Sequence, residues 1–188
     1  LRGQNNVQGA SDAGLIPMMF PDYQHVTRPE VRANFERAWN LTPGTLDDQP
    51  GLTVVEVMKA IDQGQIRGMY VMGENPAMSD PDANHARHAL ASLDLLVVQD
   101  IFLTETAYLA DVILPASAFP EKDGTFTNTD RLVQMGRKAV EPPGDARQDL
   151  WIIQQMANRM GLPWNYGHVS EVFDEMRRLD EHFRPSAG

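Results

Sequence analysis

Three short apolar runs decide what this chain can fold into: Met69-Tyr70-Val71-Met72, Leu95-Leu96-Val97-Val98 and Val112-Ile113-Leu114. None alternates polar with apolar, so each predicts a strand with both faces covered rather than one face in water. Helical patterns separate them. Thr53 and Glu56 are spaced as a capping box, opening a helix over 54–63 with Val54, Val57, Met58 and Ile61 on one face and Gly64 at its end. Asp80 or Asp82 caps a second helix that reaches Leu93, with Ala86, Leu90 and Leu93 inward. A short third helix is predicted over 104–109, and Pro115 closes the last strand. Strands alternating with helices mean an α/β fold: a Rossmann-like, doubly wound, mostly parallel sheet with helices on both faces, over about 53–140. Residues 132–140 read as a further strand, and 147–160 and 170–179 as helices. Lys122-Asp123-Gly124 reads as a tight turn.

The stretch before this unit is different. Gly3, Gly9, Gly14, Pro17 and Pro21 interrupt residues 1–26, which are expected to be irregular. Residues 28–39 predict a helix, with Pro29 in its first turn and Val31, Phe35 and Trp39 four apart. The expected organisation is therefore a segment 1–52 leading into a domain 53–188. The first residue is Leu1, inside a polar, Gly-rich run, which reads as an internal piece of a longer protein.

Composition removes several function classes. A net charge of −10 argues against a nucleic-acid partner, which needs clustered Lys and Arg. It leaves room for a phosphorylated cofactor held by backbone N–H groups. The chain has no Cys, so it holds no disulfide, thiolate nucleophile, Cys-ligated iron–sulfur cluster or Cys–zinc site of its own. No apolar run approaches the ~20 residues that span a bilayer, so no membrane insertion is expected. A cytoplasmic location is the expectation. His85 and His88 lie three apart on a predicted helix without an evident third ligand, which fits an exposed helix face better than a metal site.

In an open parallel sheet, ligands sit beyond the carboxyl ends of the strands. The first strand ends in Met72-Gly73-Glu74-Asn75-Pro76 and the second in Gln99-Asp100-Ile101-Phe102. Gly73 would let a backbone approach a ligand closely. Glu74 and Asp100 are acceptors suited to ribose hydroxyls or guanine N–H groups, and Asn75 and Gln99 both donate and accept. Such residues equally serve to cap the helices that follow. No GxGxxG follows any strand, so a plain NAD site is poorly supported. The opening Arg2-Gly3-Gln4-Asn5-Asn6 offers a charged fork able to grip a small carboxylate. From composition alone, a solvated segment is the favoured reading there.

The run Arg2-Gly3-Gln4-Asn5-Asn6-Val7-Gln8-Gly9-Ala10-Ser11-Asp12 resembles the catalytic subunits of molybdenum- or tungsten-dependent formate dehydrogenases, members of the dimethyl sulfoxide reductase superfamily. The resemblance continues through Phe20-Pro21-Asp22-Tyr23-Gln24, Tyr70 to Pro76, Val97 to Ala107, Ala110 to Pro115, Gly124-Thr125-Phe126-Thr127-Asn128 and Asp149 to Gly161. It implies a bis(molybdopterin guanine dinucleotide) cofactor on Mo or W and oxidation of formate to carbon dioxide. Electrons would leave through a 4Fe-4S cluster of the parent protein, not of this chain. The implied partners are the remaining domains of the parent subunit and electron-transfer subunits. Arg2 matches the family's catalytic arginine, beside formate. Gln4 matches a pterin contact, and Met72, Gly73, Glu74 and Asn75 a cofactor-contacting turn. Gln99 and Asp100 match the strand end that meets the guanosine, and Asp149 a carboxylate suited to guanine N–H groups. The metal-ligating Cys or selenocysteine and its neighbouring His have no counterpart, so the chain alone is expected to be inactive. The alternatives are a non-catalytic scaffold domain like that in the large iron–sulfur subunit of respiratory complex I, or a molybdopterin oxidoreductase with another substrate.

Overall fold

The computed structural model describes residues 4–179. In chain order its helices are α1 (Val7–Asp12), α2 (Pro29–Ala38), α3 (Val54–Asp62), α4 (Pro76–Ser79), α5 (Ala83–Ala91), α6 (Asp149–Arg159) and α7 (Val169–Leu179). Its strands are β1 (Met19–Phe20), β2 (Gln24–His25), β3 (Gly68–Met72), β4 (Leu95–Asp100), β5 (Val112–Pro115), β6 (Gly124–Thr127) and β7 (Val133–Gly136). They fall into two compact units, one drawn from Leu1–Gly51, Asp123–Arg137 and Tyr166–Gly188, the other from Leu52–Lys122 and Lys138–Asn165. The chain returns twice to the first unit, which a single cut does not describe.

The second unit is the parallel α/β element. β3, β4 and β5 are parallel neighbours in that order, with Tyr70 opposite Val97 and Val97 opposite Val112. Side chains alternate across a strand. Val71, Leu96 and Val98 share a buried core with Met58 and Ile61 of α3 and Ala86, Ala89 and Leu90 of α5. Leu96 and Val98 are 1% and 0% exposed. On the opposite face, Tyr70, Met72, Leu95 and Val112 are 38–48% exposed. There the first residue of α6, Asp149, bonds Gln99 at the end of β4.

Local signals explain the helices. Glu56 accepts from the Thr53 N–H (2.8 Å) and hydroxyl (2.7 Å), and the open first turn gains a nearby negative charge. Asp82, not Asp80, caps α5 by accepting the His85 N–H at 3.1 Å. His85 is ion-paired with Asp62, tying α5 to α3, and that hydrogen bond holds the imidazole above its ordinary pKa. The predicted helix over 104–109 contracts to a 3-10 turn at Ala107–Leu109.

Three expectations are corrected outside the parallel sheet. The interrupted stretch 1–26 contains α1 and the antiparallel pair β1–β2. Gly9 does not break α1, because the Asn6 side chain lies over it: a Cβ there would stand 2.3 Å from Asn6 Oδ1. The strand inside 132–140 is real, as β7, but it pairs antiparallel with β6 outside the parallel sheet. Gly124 opens β6, so Lys122-Asp123-Gly124 is no tight turn. Phe20 stacks on Phe35 at 4.6 Å, and Trp39 packs on both rings. Those three rings supply the apolar contact that the pattern in α2 anticipated.

Candidate nucleotide-binding edge

The carboxyl ends of β3 and β4 lie side by side because the strands are parallel and in register, Met72 opposite Gln99. The Gly73 N–H donates to the Gln99 carbonyl at 2.9 Å, adding one rung beyond β3. Gly73 then turns at φ +63°, and no atom lies within 4 Å of where its Cβ would be. The backbone there is open to close approach, and the left-handed turn favours glycine.

The polar residues of this edge form two clusters. In one, Asn75 Oδ1 accepts from the Thr106 hydroxyl (2.8 Å) and the Thr106 N–H (3.2 Å), while Asn75 Nδ2 donates to Glu105 at 2.7 Å. The Thr106 hydroxyl in turn accepts the Ala77 N–H at 3.1 Å. Thr106 is wholly buried. The Asn75 amide holds the Glu105 carboxyl below its ordinary pKa. Glu74 accepts from the Ser79 hydroxyl at 2.9 Å, and Asp100 Oδ1 takes the Ile101 and Phe102 N–H groups at 2.6 and 3.1 Å. Asn75, Glu74 and Asp100 are thus bonded to the turns that follow their strands.

The other cluster faces the opposite side of the sheet. Gln99, fully buried, accepts the Tyr70 hydroxyl on its Oε1 and donates Nε2 to Asp149 Oδ1 at 2.6 Å. Asp149 Oδ2 is ion-paired with Lys122 Nζ, which also donates to the Ser117 carbonyl at 2.8 Å. Burial, and then the Asp149 charge, pushes the Tyr70 phenol above its ordinary pKa. The Asp149 side chain remains 32% exposed. The fully buried Ser117 hydroxyl has no hydrogen-bond partner among the described residues.

In the first unit, Gln4 lines a cavity of about 360 Å³ with Asn5, Gln8, Thr127, Asn128 and Asp130. Asn6 fixes one wall: its Oδ1 accepts the Thr127 N–H (2.9 Å) and its Nδ2 donates to the Thr125 carbonyl (3.3 Å). Gln8 donates to Asp12 (2.7 Å) and to the Tyr23 hydroxyl (3.1 Å), and Arg131 stands over the Tyr23 ring. Arg2 lies outside the described residues. Among those residues no group of His, Asp and Glu is arranged to hold a metal. His85 serves its ion pair.

Sequence reasoning passed over Lys122, Tyr70, Ser117, Thr106 and Asn6. Lys122 sat in a string with turn composition, and nothing local points to a partner 27 positions away. Tyr70 was counted as apolar, although it alone in its run carries a polar tip.

A parallel sheet flanked by helices, with a bare glycine turn and amide and carboxylate groups at its carboxyl edge, defines an α/β protein whose ligand edge lies there if anywhere. The comparisons narrow the class. The family model for molybdopterin oxidoreductases matches residues 3–159, so the chain belongs to the molybdopterin oxidoreductase family. It is 50% identical to the F420-dependent formate dehydrogenase subunit alpha of Methanocaldococcus jannaschii, over 98% of this chain and 27% of that protein. It is 47% identical to the F420-dependent formate dehydrogenase 1 subunit alpha of Methanococcus maripaludis, over 97% of this chain and 27% of that one. The chain thus spans about a quarter of the length of these relatives. The solved structure of acetylene hydratase from Pelobacter acetylenicus shares the fold, with a TM-score of 0.56 and 23% identity over 72% of this chain and 19% of that one.

Proposed function

We propose that this chain is part of the cofactor cradle of a formate dehydrogenase, holding a molybdopterin guanine dinucleotide. The observation that carries the reading is Asp149. Its carboxylate is held by Gln99 and Lys122 at the carboxyl end of β4, and it remains partly open to solvent. An ionised carboxylate accepts two parallel N–H groups, as a guanine edge presents them. Gly73 would admit the dinucleotide backbone, beside Met72, Glu74, Asn75 and Asp100 on the same edge. Gln4 would meet the pterin from its cavity. The family model and the relatives named formate dehydrogenase support the cofactor class and the reaction.

When bound, the Mo or W centre supplies the two-electron acceptor for formate, with electrons passing on to a 4Fe-4S cluster held by other parts of the parent protein. This chain's own residues bind and orient. Arg2 would grip formate through two parallel hydrogen bonds, drawing the carboxylate into a fixed pose. Asp149, Gln99 and the Gly73 turn would hold the nucleotide end still. The chain by itself is inactive in this reading, and the parent works with other domains and electron-transfer subunits.

The test is the full-length parent, purified without oxygen. Mo or W, pterin and guanine nucleotide should be recovered together, with formate-dependent dye reduction. Asp149→Ala should lower nucleotide and metal content together, and Arg2→Lys should lower turnover while leaving both in place. A parent free of Mo, W and pterin refutes the reading.

A further inference from the structure

The Asp149 carboxylate is arranged before any ligand reaches it. A carboxylate has about four lone-pair sites, two on each oxygen. Gln99 Nε2 takes one on Oδ1, and Lys122 Nζ takes one on Oδ2. Each oxygen keeps a further acceptor site, on a group that is 32% exposed. Guanine presents two adjacent donors, N1–H and N2–H, which need one acceptor on each oxygen. Adenine presents a donor and an acceptor, and its acceptor would face an oxygen lone pair.

Both anchors are themselves fixed. Gln99 is fully buried, and its Oε1 is occupied by the Tyr70 hydroxyl, so its amide nitrogen points at Asp149. Lys122 is fastened to the backbone beyond β5 through the Ser117 carbonyl, and the Ser117 N–H is bonded to the Arg147 carbonyl at 2.9 Å. Ser117 also carries a buried hydroxyl that no described residue satisfies. Buried polar groups are almost always paired, so this orphan, on the residue that anchors Lys122, leaves a polar group for a ligand to take up.

We propose that Lys122 is a positioning residue that sets the selectivity of this site for guanine. It pins Oδ2 so that the two outward acceptors stay level. Without it, the carboxylate turns about its Cβ–Cγ bond and offers one oxygen. A single acceptor takes an adenine amino group as readily as a guanine one. This inference rests on the reading above that Asp149 receives the guanine.

The experiment is calorimetric titration of the full-length parent, expressed without its cofactor, with GDP, ADP and inosine diphosphate, which lacks the 2-amino group. The variants are Lys122→Met, Lys122→Gln, Lys122→Arg and Asp149→Asn, each checked for fold by circular dichroism and thermal melting. The wild type should prefer GDP to ADP by about tenfold or more, the discrimination expected of a bidentate pair, and GDP to inosine diphosphate by a smaller factor. Lys122→Met and Lys122→Gln should weaken GDP while leaving ADP unchanged, so that both preferences collapse, and Lys122→Arg should restore most of them. A lysine needed only for stability would weaken all three nucleotides together, and that result overturns the proposal. If Asp149→Asn abolishes the GDP preference and Lys122→Gln keeps it, the Lys122 role fails and the Asp149 reading survives. If Asp149→Asn keeps the preference, or the wild type binds no GDP, the Asp149 reading fails and takes the Lys122 role with it.

Discussion

Replacing Asn75 by Ala should destabilise the second unit by about 2–4 kcal/mol. Asn75 Oδ1 is the acceptor for both the N–H and the hydroxyl of Thr106, a residue with no exposed surface. The Thr106 oxygen also accepts the Ala77 N–H, which holds the hydroxyl in one orientation. Truncation leaves two donors stranded, each costing about 1–3 kcal/mol when buried, and toward the lower end here because the Asn75 side of both bonds is partly exposed. The bond from Asn75 to Glu105 is exposed and adds little. Urea unfolding followed by hydrogen exchange of the β4 amides reads this loss within the second unit. Asn75→Asp keeps the acceptor and should recover more than half of it, less so at neutral pH, where two carboxylates would face each other. A cycle with Thr106→Val should show a coupling of about 1 kcal/mol or more, because the two side chains share one bond. If Asn75→Ala costs under about 0.5 kcal/mol, as an ordinary surface change does, the account of Asn75 as the clasp of this edge is wrong.

Leu96→Ala, at a site 1% exposed between the sheet and its helices, should cost about 2–5 kcal/mol in the same assay. Ser117→Ala removes a buried hydroxyl that has no partner among the described residues, so unfolding should show no loss of stability. Gly9→Ala drives a methyl group into Asn6 Oδ1, and the Thr127 amide, bonded to that oxygen, should exchange faster with solvent. His85 is raised above its ordinary 6.5 in the fold by Asp62. Its contribution is therefore full below that value and is lost as pH rises through the folded pKa. The difference in melting temperature between wild type and His85→Gln should be largest near pH 5.5 and shrink toward pH 8.5, and growth with pH would contradict the pairing.

Most of the parallel element was legible because its signals are local. The apolar runs at β3, β4 and β5, the Thr53–Glu56 spacing and the Gly64 stop each need only a few neighbouring residues. The strand ends were legible for the same reason, since topology places ligands there whatever the ligand is. Long-range pairings were hidden. Nothing near Lys122 reveals Asp149, and nothing near Asn6 reveals the backbone of β6. β7 was recognised as a strand but given to the wrong sheet, because apolar pattern does not state its partner. The Gly-rich opening concealed a helix because a glycine that receives a neighbouring side chain looks like one that ends an element.

The rung between the Gly73 N–H and the Gln99 carbonyl has a thermodynamic consequence. Loops that grip ligands commonly lose freedom when they do so, and that loss is subtracted from the affinity. Here the turn after β3 is stitched to the neighbouring strand in advance, so its entropy is given up during folding. A molecule that lodges against this glycine would meet a surface already set in shape, and its binding would carry little ordering penalty from the turn itself.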